Sequence, residues 1–451
     1  MFFRHCTKDS VLAKLEEEKV TSKNLPISEA LHFLNQFSNL ETQPQFGLKA
    51  HTFSLEPMQE LLERHHYQKG STQFIHIAGS KGKGSMVHFL EAFFLHHQQS
   101  VGIFVSPHLY SPLERIRVNG KNITETELLQ EIQSLDIRPE EPFSFFEIFT
   151  LIAFQYFARR QVQWAIVEVG LGGRVDATNV LEPDLCIVTE IALEHQKILG
   201  DSYAAIAKEK LGILKPRVPV LSLTLREEIQ TLVQEYAERL QCPRVQIGEH
   251  FQIKILRQRL QKIEFQCLWE GKTFLLEVPY STIHQARHFA GALIATCLLK
   301  QNFEPPPHSA LKISGREEWT ETYPVKLYDV AHEALSLNAV ADVIEQAKAN
   351  YREIWILFAC LQDKQIFSVL PRFFQLATHL LFSRLEHPRS WNPEIVFEHF
   401  PSWKTSPKVE IKSNVASAVQ RCQESSDRSD LIVITGSFGI LQESKRWWSD
   451  S

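Results

Sequence analysis

The chain has 451 residues, which at about 150 residues per domain corresponds to two or three folded units. With 44% hydrophobic and 22% charged residues it can bury a core, and wholesale disorder, collagen and coiled coil are excluded. Acidic residues outnumber basic ones, 53 to 48, for a formal net charge of −5; no global positive field recruits nucleic acid or an anionic membrane, and small-molecule partners are expected.

The seven cysteines are scattered and never form a Cys-x-x-Cys pair, which disfavours a disulfide framework and a structural zinc site. Residues 1–20 carry Lys8, Asp9, Lys14 and the Glu16-Glu17-Glu18 run without an apolar segment, so they do not read as a secretory signal. The greasiest stretch, 145–158, contains Glu147 and Gln155 and is too short to span a bilayer. A soluble, cytoplasmic protein is expected.

From residue 73 onward, short apolar runs alternate with longer helical patterns. Strands are expected at 74–78, 101–105, 164–169, 185–190 and 218–223, with helices at 85–97, 126–135, 145–160 and 203–214 between them. Thr124 and Glu127 form a capping-box pattern ahead of the second helix. Nearly continuous apolar strands imply helices on both sheet faces, a doubly wound α/β architecture with a mostly parallel sheet. Residues 251–278 interleave polar and apolar positions around Glu270-Gly271, which reads as a small antiparallel ribbon attached to that sheet. A helix over 284–300 precedes Pro305-Pro306-Pro307, a stiff extended connector. The β/α rhythm then restarts, with strands at 325–330, 354–360, 380–383 and 431–435 and a helix over 335–347, a second and smaller Rossmann-like domain. His65-His66 and His96-His97 are adjacent pairs on helices, pointing about 100° apart, and read as solvated or packed residues rather than metal ligands.

The sharpest motif is Gly79-Ser80-Lys81-Gly82-Lys83-Gly84-Ser85, between the strand ending at Ala78 and the following helix. Glycines let a tight backbone turn bring N–H groups to phosphate oxygens, the helix N-terminus adds partial positive charge, and Lys83 can neutralise β/γ-phosphates. The loop is shorter than the common G-x-x-x-x-G-K-[ST] pattern.

This shortened loop resembles the ATP loop of the folylpolyglutamate synthase / dihydrofolate synthase family of the Mur ligase superfamily. Four further blocks carry the resemblance: Ser106-Pro107-His108-Leu109 followed by Glu114-Arg115-Ile116-Arg117-Val118-Asn119-Gly120; Glu168-Val169-Gly170-Leu171-Gly172-Gly173-Arg174-Val175-Asp176-Ala177-Thr178-Asn179; Glu194-His195 with Leu199-Gly200; and Ile206-Ala207-Lys208-Glu209-Lys210-Leu211-Gly212-Ile213. It runs from about Phe46 to Ile440, densest between Ser71 and Pro216.

The resemblance implies an ATP-dependent ligase in which the γ-phosphoryl passes to a carboxylate of dihydropteroate or a folate, and the amine of L-glutamate then attacks the acyl phosphate. It implies Gly79, Gly82, Lys83, Gly84 and Ser85 on ATP, with Lys83, His195 and Lys210 in catalysis. One or two Mg²⁺ ions are expected on Ser106, Glu168 and His195, and on Lys210 if that lysine is carbamylated. The pterin end is expected against Gly47, Leu48, Phe145, Phe146, Glu147, Val175, Asp176 and Ala177. A flat ring face from Phe145 or Phe146 and ring N–H acceptors from Glu147 or Asp176 suit a pterin. From the second domain, Ser314-Gly315-Arg316 and Asp329-Val330-Ala331-His332 resemble the family's Pro-Gly-Arg and Asp-Gly-Ala-His, which implies ATP contacts from Arg316 and Asp329 and a substrate contact from His332.

Three positions depart from the family pattern. His288 stands where His-Gln-x-x-Asn has its ATP-contacting asparagine, Glu333 where Ala-His-Asn has asparagine, and Gln365 where a late Asp-Lys-Asp ends in aspartate. The expected organisation is an N-terminal extension over 1–45, a Mur-ligase-like ATP-binding domain over 46–304, a linker over 305–313 and a C-terminal α/β glutamate-ligase domain over 314–451, acting as a monomer. The competing readings are a peptidoglycan-precursor ligase of the same superfamily and a catalytically silent ATP-binding module.

Overall fold

Apolar runs rich in Val, Ile and Phe form the strands at the centre of each sheet, because side chains buried on both faces leave no polar alternation. The computed structural model describes residues 30–38, 54–301 and 303–448; Gly47 and Leu48 lie outside them. The chain divides into two compact units, residues 1–250 with 293–303, and residues 251–292 with 304–451.

The first unit holds strands β1 (Gln73–Ala78), β2 (Val101–Phe104), β3 (Ile116–Val118), β4 (Lys121–Asn122), β5 (Trp164–Glu168), β6 (Leu185–Val188), β7 (Val220–Ser222) and β8 (Arg244–Gln246). They form one sheet in the order β4-β3-β2-β5-β1-β6-β7-β8, parallel except for the β3–β4 hairpin and its pairing with β2. Strand β1 is central, flanked in parallel by β5 and β6. The chain leaves β1 toward one edge and returns across it to β6, so the C-terminal ends of β1, β5 and β6 meet at a topological switch point, where open α/β sheets bind ligands.

Helices cover both faces. On one side Glu125–Ser134 and Phe145–Arg159, each opened by a complete capping box from Thr124 and Ser144, pack Leu128, Ile132, Phe149 and Phe154 against Phe74, Phe104 and Val167. On the other, Tyr203–Leu211 and Glu227–Leu240 pack Ile206, Leu211 and Val233 against Ala78, Val188 and Val220.

The second unit contains a three-stranded antiparallel sheet, β9 (Phe251–Arg259), β10 (Lys262–Trp269) and β11 (Lys272–Val278), with Glu270 and Gly271 both at positive φ in the β10–β11 turn. It is a sheet of its own rather than an attachment to the first. A six-stranded sheet follows, ordered β12 (Glu318–Trp319), β13 (Val325–Asp329), β17 (Leu431–Thr435), β14 (Ile354–Phe358), β15 (His379–Phe382) and β16 (Val409–Ile411), parallel apart from β12. Residues 251–292 group with this unit, not with everything up to 304 as the sequence reading has it. Buried long-range bonds supply the reason: Tyr280 Oη donates to Leu311 O at 2.5 Å and accepts from Ile313 N at 3.1 Å, and Glu317 accepts from the backbone N–H and the hydroxyl of Ser281.

One buried carboxyl makes stability pH-dependent. Burial pushes Glu131 up to about 7 from its ordinary 4.5, against the pull of the Arg159 guanidinium 2.8 Å away. The folded chain therefore holds this proton more tightly than the unfolded chain, and stability falls as pH rises through that window. Glu131→Gln is expected to raise the melting temperature by about 2–4 °C at pH 8, with the gain shrinking toward zero by pH 5. Thermal unfolding followed by circular dichroism at both pH values checks it; an equal gain at both would show that ionisation is not the cause.

Candidate active site

The loop after β1 is shaped by two glycines. Gly79 has φ 153° and lies so close to β6 that an added Cβ would sit 1.8 Å from Thr189 Oγ1. Gly82, at φ 89°, turns the chain into the helix Lys83–His96. The N–H groups of Ser80 and Lys81 donate to Glu190 O at 2.8 and 3.1 Å, which pins the loop to the extension of β6. First-turn N–H groups and the helix dipole make such a turn an anion cradle.

Charge gathers around the loop. Lys83 Nζ donates to Gly79 O at 3.1 Å and lies 3.8 Å from Glu168 Oε1, at the end of β5. Lys210 Nζ, buried in the last turn of Tyr203–Leu211, donates to the same Gly79 O at 2.9 Å and to Glu194 Oε1 at 3.0 Å. Lys81 Nζ lies 3.7 Å from Glu194 Oε2. Burial of Glu194 opposes its ionisation, but the ammonium groups of Lys210, Lys83 and Lys81, with His195, outweigh it and hold the carboxyl at about 2. For Lys210, burial lowers the ammonium to about 8 despite the attraction of Glu194. Motif reading places Glu194 beside the expected His195 without giving it work, and only the folded chain reveals it as the counter-ion of two lysines.

The expected metal ligands follow strand ends. Ser106 is half-buried beyond β2, Glu168 ends β5 and is buried, and His195 is exposed beyond β6 at φ 47°. Among the described residues, no three His, Cys, Asp or Glu side chains gather into a metal cage. Magnesium is usually held by one or two carboxylates, with substrate phosphates and water completing its shell, and the buried Glu168 beside the phosphate-type loop fits that donor set. Lys210 as it stands is an ammonium; the ligand role expected of it requires the carbamate.

At the expected pterin end the structure separates the two phenylalanines. Phe145 is buried in the core, 4.7 Å from the Phe149 ring and under the Arg115 guanidinium, and offers no free face. Phe146 is half-buried and lies over Gly170, where an added Cβ would come within 2.5 Å of its ring. Glu147 closes the helix capping box, its Oε2 accepting from Ser144 N and Oγ at 2.7 Å. Asp176 is buried and holds its own turn: Oδ2 accepts from Leu171 N at 2.8 Å and Oδ1 from Thr178 N at 3.0 Å. The structure gives these two carboxylates local backbone partners. Val175 and Ala177 flank Asp176, half-buried and buried.

In the second unit, Arg316 and Asp329 line one small cavity with Glu317, Thr282, His284 and Gln285. Asp329 accepts from Glu317 N at 2.9 Å and Ala331 N at 2.8 Å. Burial pushes its carboxyl up, opposed by Arg316. His288 is buried, and burial drives its imidazole well below the ordinary 6.5, so it is neutral. His332 is half-buried, its ring 6.0 Å from that of Phe438.

Residues 315–438 match the Mur ligase, glutamate ligase domain. The chain is 28% identical over 436 residues to the dihydrofolate synthase/folylpolyglutamate synthase of Bacillus subtilis, covering 89% of this chain and 96% of that one. The Escherichia coli protein of the same name is 27% identical over 366 residues, 80% of this chain and 83% of that one. Among solved structures, folylpolyglutamate synthase from Thermotoga maritima matches with a TM-score of 0.77 at 24% identity, over 94% of this chain and 97% of that one. The Mycobacterium tuberculosis enzyme, complexed with ADP and AMPPCP, gives 0.78 at 23% over 94% and 98%. At these identities the structural likeness speaks for the fold.

The lysine-lined loop at the sheet's switch point and the matched C-terminal domain make the chain similar to Mur-type ligases. Within that class, the relatives that the chain matches over most of its length are dihydrofolate synthase/folylpolyglutamate synthases.

The Glu194–Lys210 pair is buried on both sides, so removing one partner leaves an uncompensated charge. Glu194→Gln is expected to destabilise the chain by about 3–5 kcal/mol in urea unfolding. Glu194→Gln combined with Lys210→Met should recover part of that loss; no recovery would mean that the two charges do not act as a pair.

Proposed function

We propose that this chain is an ATP-dependent ligase that joins L-glutamate to dihydropteroate, to folates or to both. The convergence of Lys83 and Lys210 on the Gly79 carbonyl, with Glu168 beside them, carries the reading. A carboxylate and a triphosphate repel each other, and fixed cations in a partly desolvated turn lower that barrier. A carboxylate oxygen of the pteroate or folate attacks the γ-phosphorus, the bond to the β–γ bridging oxygen breaks, and ADP leaves. The amine nitrogen of L-glutamate then attacks the acyl carbon; the carbon–oxygen bond to phosphate breaks, phosphate leaves and the nitrogen loses a proton.

Lys83 neutralises charge on the transferring phosphoryl group, and the N–H groups after Gly82 bind phosphate oxygens. Ser106, Glu168 and His195 would hold magnesium, which would supply further neutralisation of the triphosphate. Lys210 orders the loop through the Gly79 carbonyl. Were Lys210 carbamylated, its nitrogen losing a proton as the bond to carbon dioxide forms, the carbamate would serve as an anionic ligand for a second metal. The half-buried Phe146 takes the pterin ring. Among the described residues no helix is long and apolar enough to cross a membrane, and a cytoplasmic monomer accords with the reading.

Lys83→Ala should cut ADP release that depends on dihydropteroate plus L-glutamate by at least about 100-fold, with folding intact by circular dichroism. Near-normal turnover in that variant would overturn the assignment. Parallel assays of the wild-type chain with dihydropteroate and tetrahydrofolate separate the two acid substrates.

A further inference from the structure

The segment from Gly170 to Asn179 does more than connect two strands. It grips the end of the helix that carries Lys210. Gly173 is pressed against that helix: a Cβ there would meet Glu209 O at 2.8 Å, Lys210 O at 2.9 Å and Lys210 Cα at 3.0 Å, all backbone atoms with no room to move. The contact is mutual, since a Cβ on Gly212 would meet the Arg174 Cβ at 2.3 Å. Arg174 N donates to Glu209 O at 2.8 Å across this seam.

Asn179 locks the seam. Its side chain is buried, and Nδ2 donates both to Arg174 O, at 2.9 Å, and to Gly212 O, at 3.1 Å, one carbonyl from each side. Lys215 Nζ, just beyond the helix, returns to Asn179 O at 2.8 Å. Meanwhile Asn179 Oδ1 is buried without a partner. An orphaned acceptor is unfavourable, so the amide is kept there for its donor end.

We propose that Asn179 is a positioning residue for Lys210. Through Gly212 O it fixes the last turn of Tyr203–Leu211, and with it the reach of Lys210 Nζ to Gly79 O and Glu194. The turn held by Asp176 and the phosphate-type loop are thereby parts of one mechanical unit. Because the Asn179 side chain bonds to Arg174 O and Gly212 O, on the turn and on the Lys210 helix, its effect on turnover passes through Lys210. The proposal rests on the reading of Lys210 given above.

Four full-length chains test it: wild type, Asn179→Ala, Lys210→Met and the double variant, each assayed for ADP release with saturating ATP, dihydropteroate and L-glutamate. Displacing a working group by about 1 Å can lower turnover by about 100-fold, so Asn179→Ala should lower kcat by about 10- to 100-fold while the KM for ATP moves by less than about three-fold. In the Lys210→Met background the same substitution should change kcat by less than about three-fold, because it has nothing left to position. A general structural role predicts the opposite, with the two losses multiplying, and that outcome overturns the proposal. Full turnover in Lys210→Met also overturns it; when Lys83→Ala is inactive in the same assay, the ATP-loop reading survives that failure. If Asn179→Ala does not fold, Asn179→Ser enters the same cycle under the same criteria.

Discussion

One carbonyl oxygen organises this molecule's chemistry: Gly79 O, at the end of the central strand, accepts hydrogen bonds from two lysine ammonium groups. Gly79 must be a glycine because Thr189 occupies the space of a Cβ, and that close approach presents the carbonyl to both lysines at once. Two cations sharing one neutral acceptor repel each other, and carboxylates gather to offset this. Glu168 faces Lys83, and Glu194 faces Lys210 and Lys81. A triphosphate can offer these lysines more negative charge than the carbonyl does. The free chain is therefore a set of ion pairs arranged so that a polyanion can exchange for part of them.

The sheet that presents this oxygen was legible because its strands are continuous apolar runs punctuated by helix caps. Strand β1, the helix after Gly82 and the capping boxes at Thr124 and Ser144 are local features with local causes. Short strands with polar faces were not read: β8 and β16 have three residues each, too few to establish a period. The β3–β4 hairpin did leave a signal. Asn119 and Gly120 both take positive φ, as a two-residue hairpin turn requires, and Asn-Gly is its strongest sequence mark. That residues 251–292 join the second unit has no local mark, because it rests on contacts such as Ser281 with Glu317, 36 positions apart.

Several carboxylates that motif matching picks out also hold their own loops. Glu147, Asp176 and Asp329 stand where the resemblance expects ligand contacts, yet each accepts from nearby backbone N–H groups. For Glu147 this was readable, since Ser144-x-x-Glu147 is itself a capping box. Asp176 and Asp329 each bond a residue two positions ahead, the ordinary habit of aspartate in turns. Such carboxylates shape the loops that other residues use. Glu194 is the converse case: its motif block marks the position but not its work, because Lys210 approaches from 16 residues away and Lys81 from another βα unit.

The departures from the family pattern look damaging one at a time and balanced together. Glu333 brings a negative charge where asparagine is expected, while Gln365 removes one where aspartate is expected, so the local count of charges is unchanged. Lys364 lies beside that exchange and pairs with Glu333 at 3.5 Å, which gives the new carboxylate a counter-ion. Glu333 also serves as the N-cap of Ala334–Ala347, where a carboxylate is favoured by the helix dipole. At the third position burial keeps His288 neutral, so an uncharged group able to donate or accept still stands where the asparagine would be.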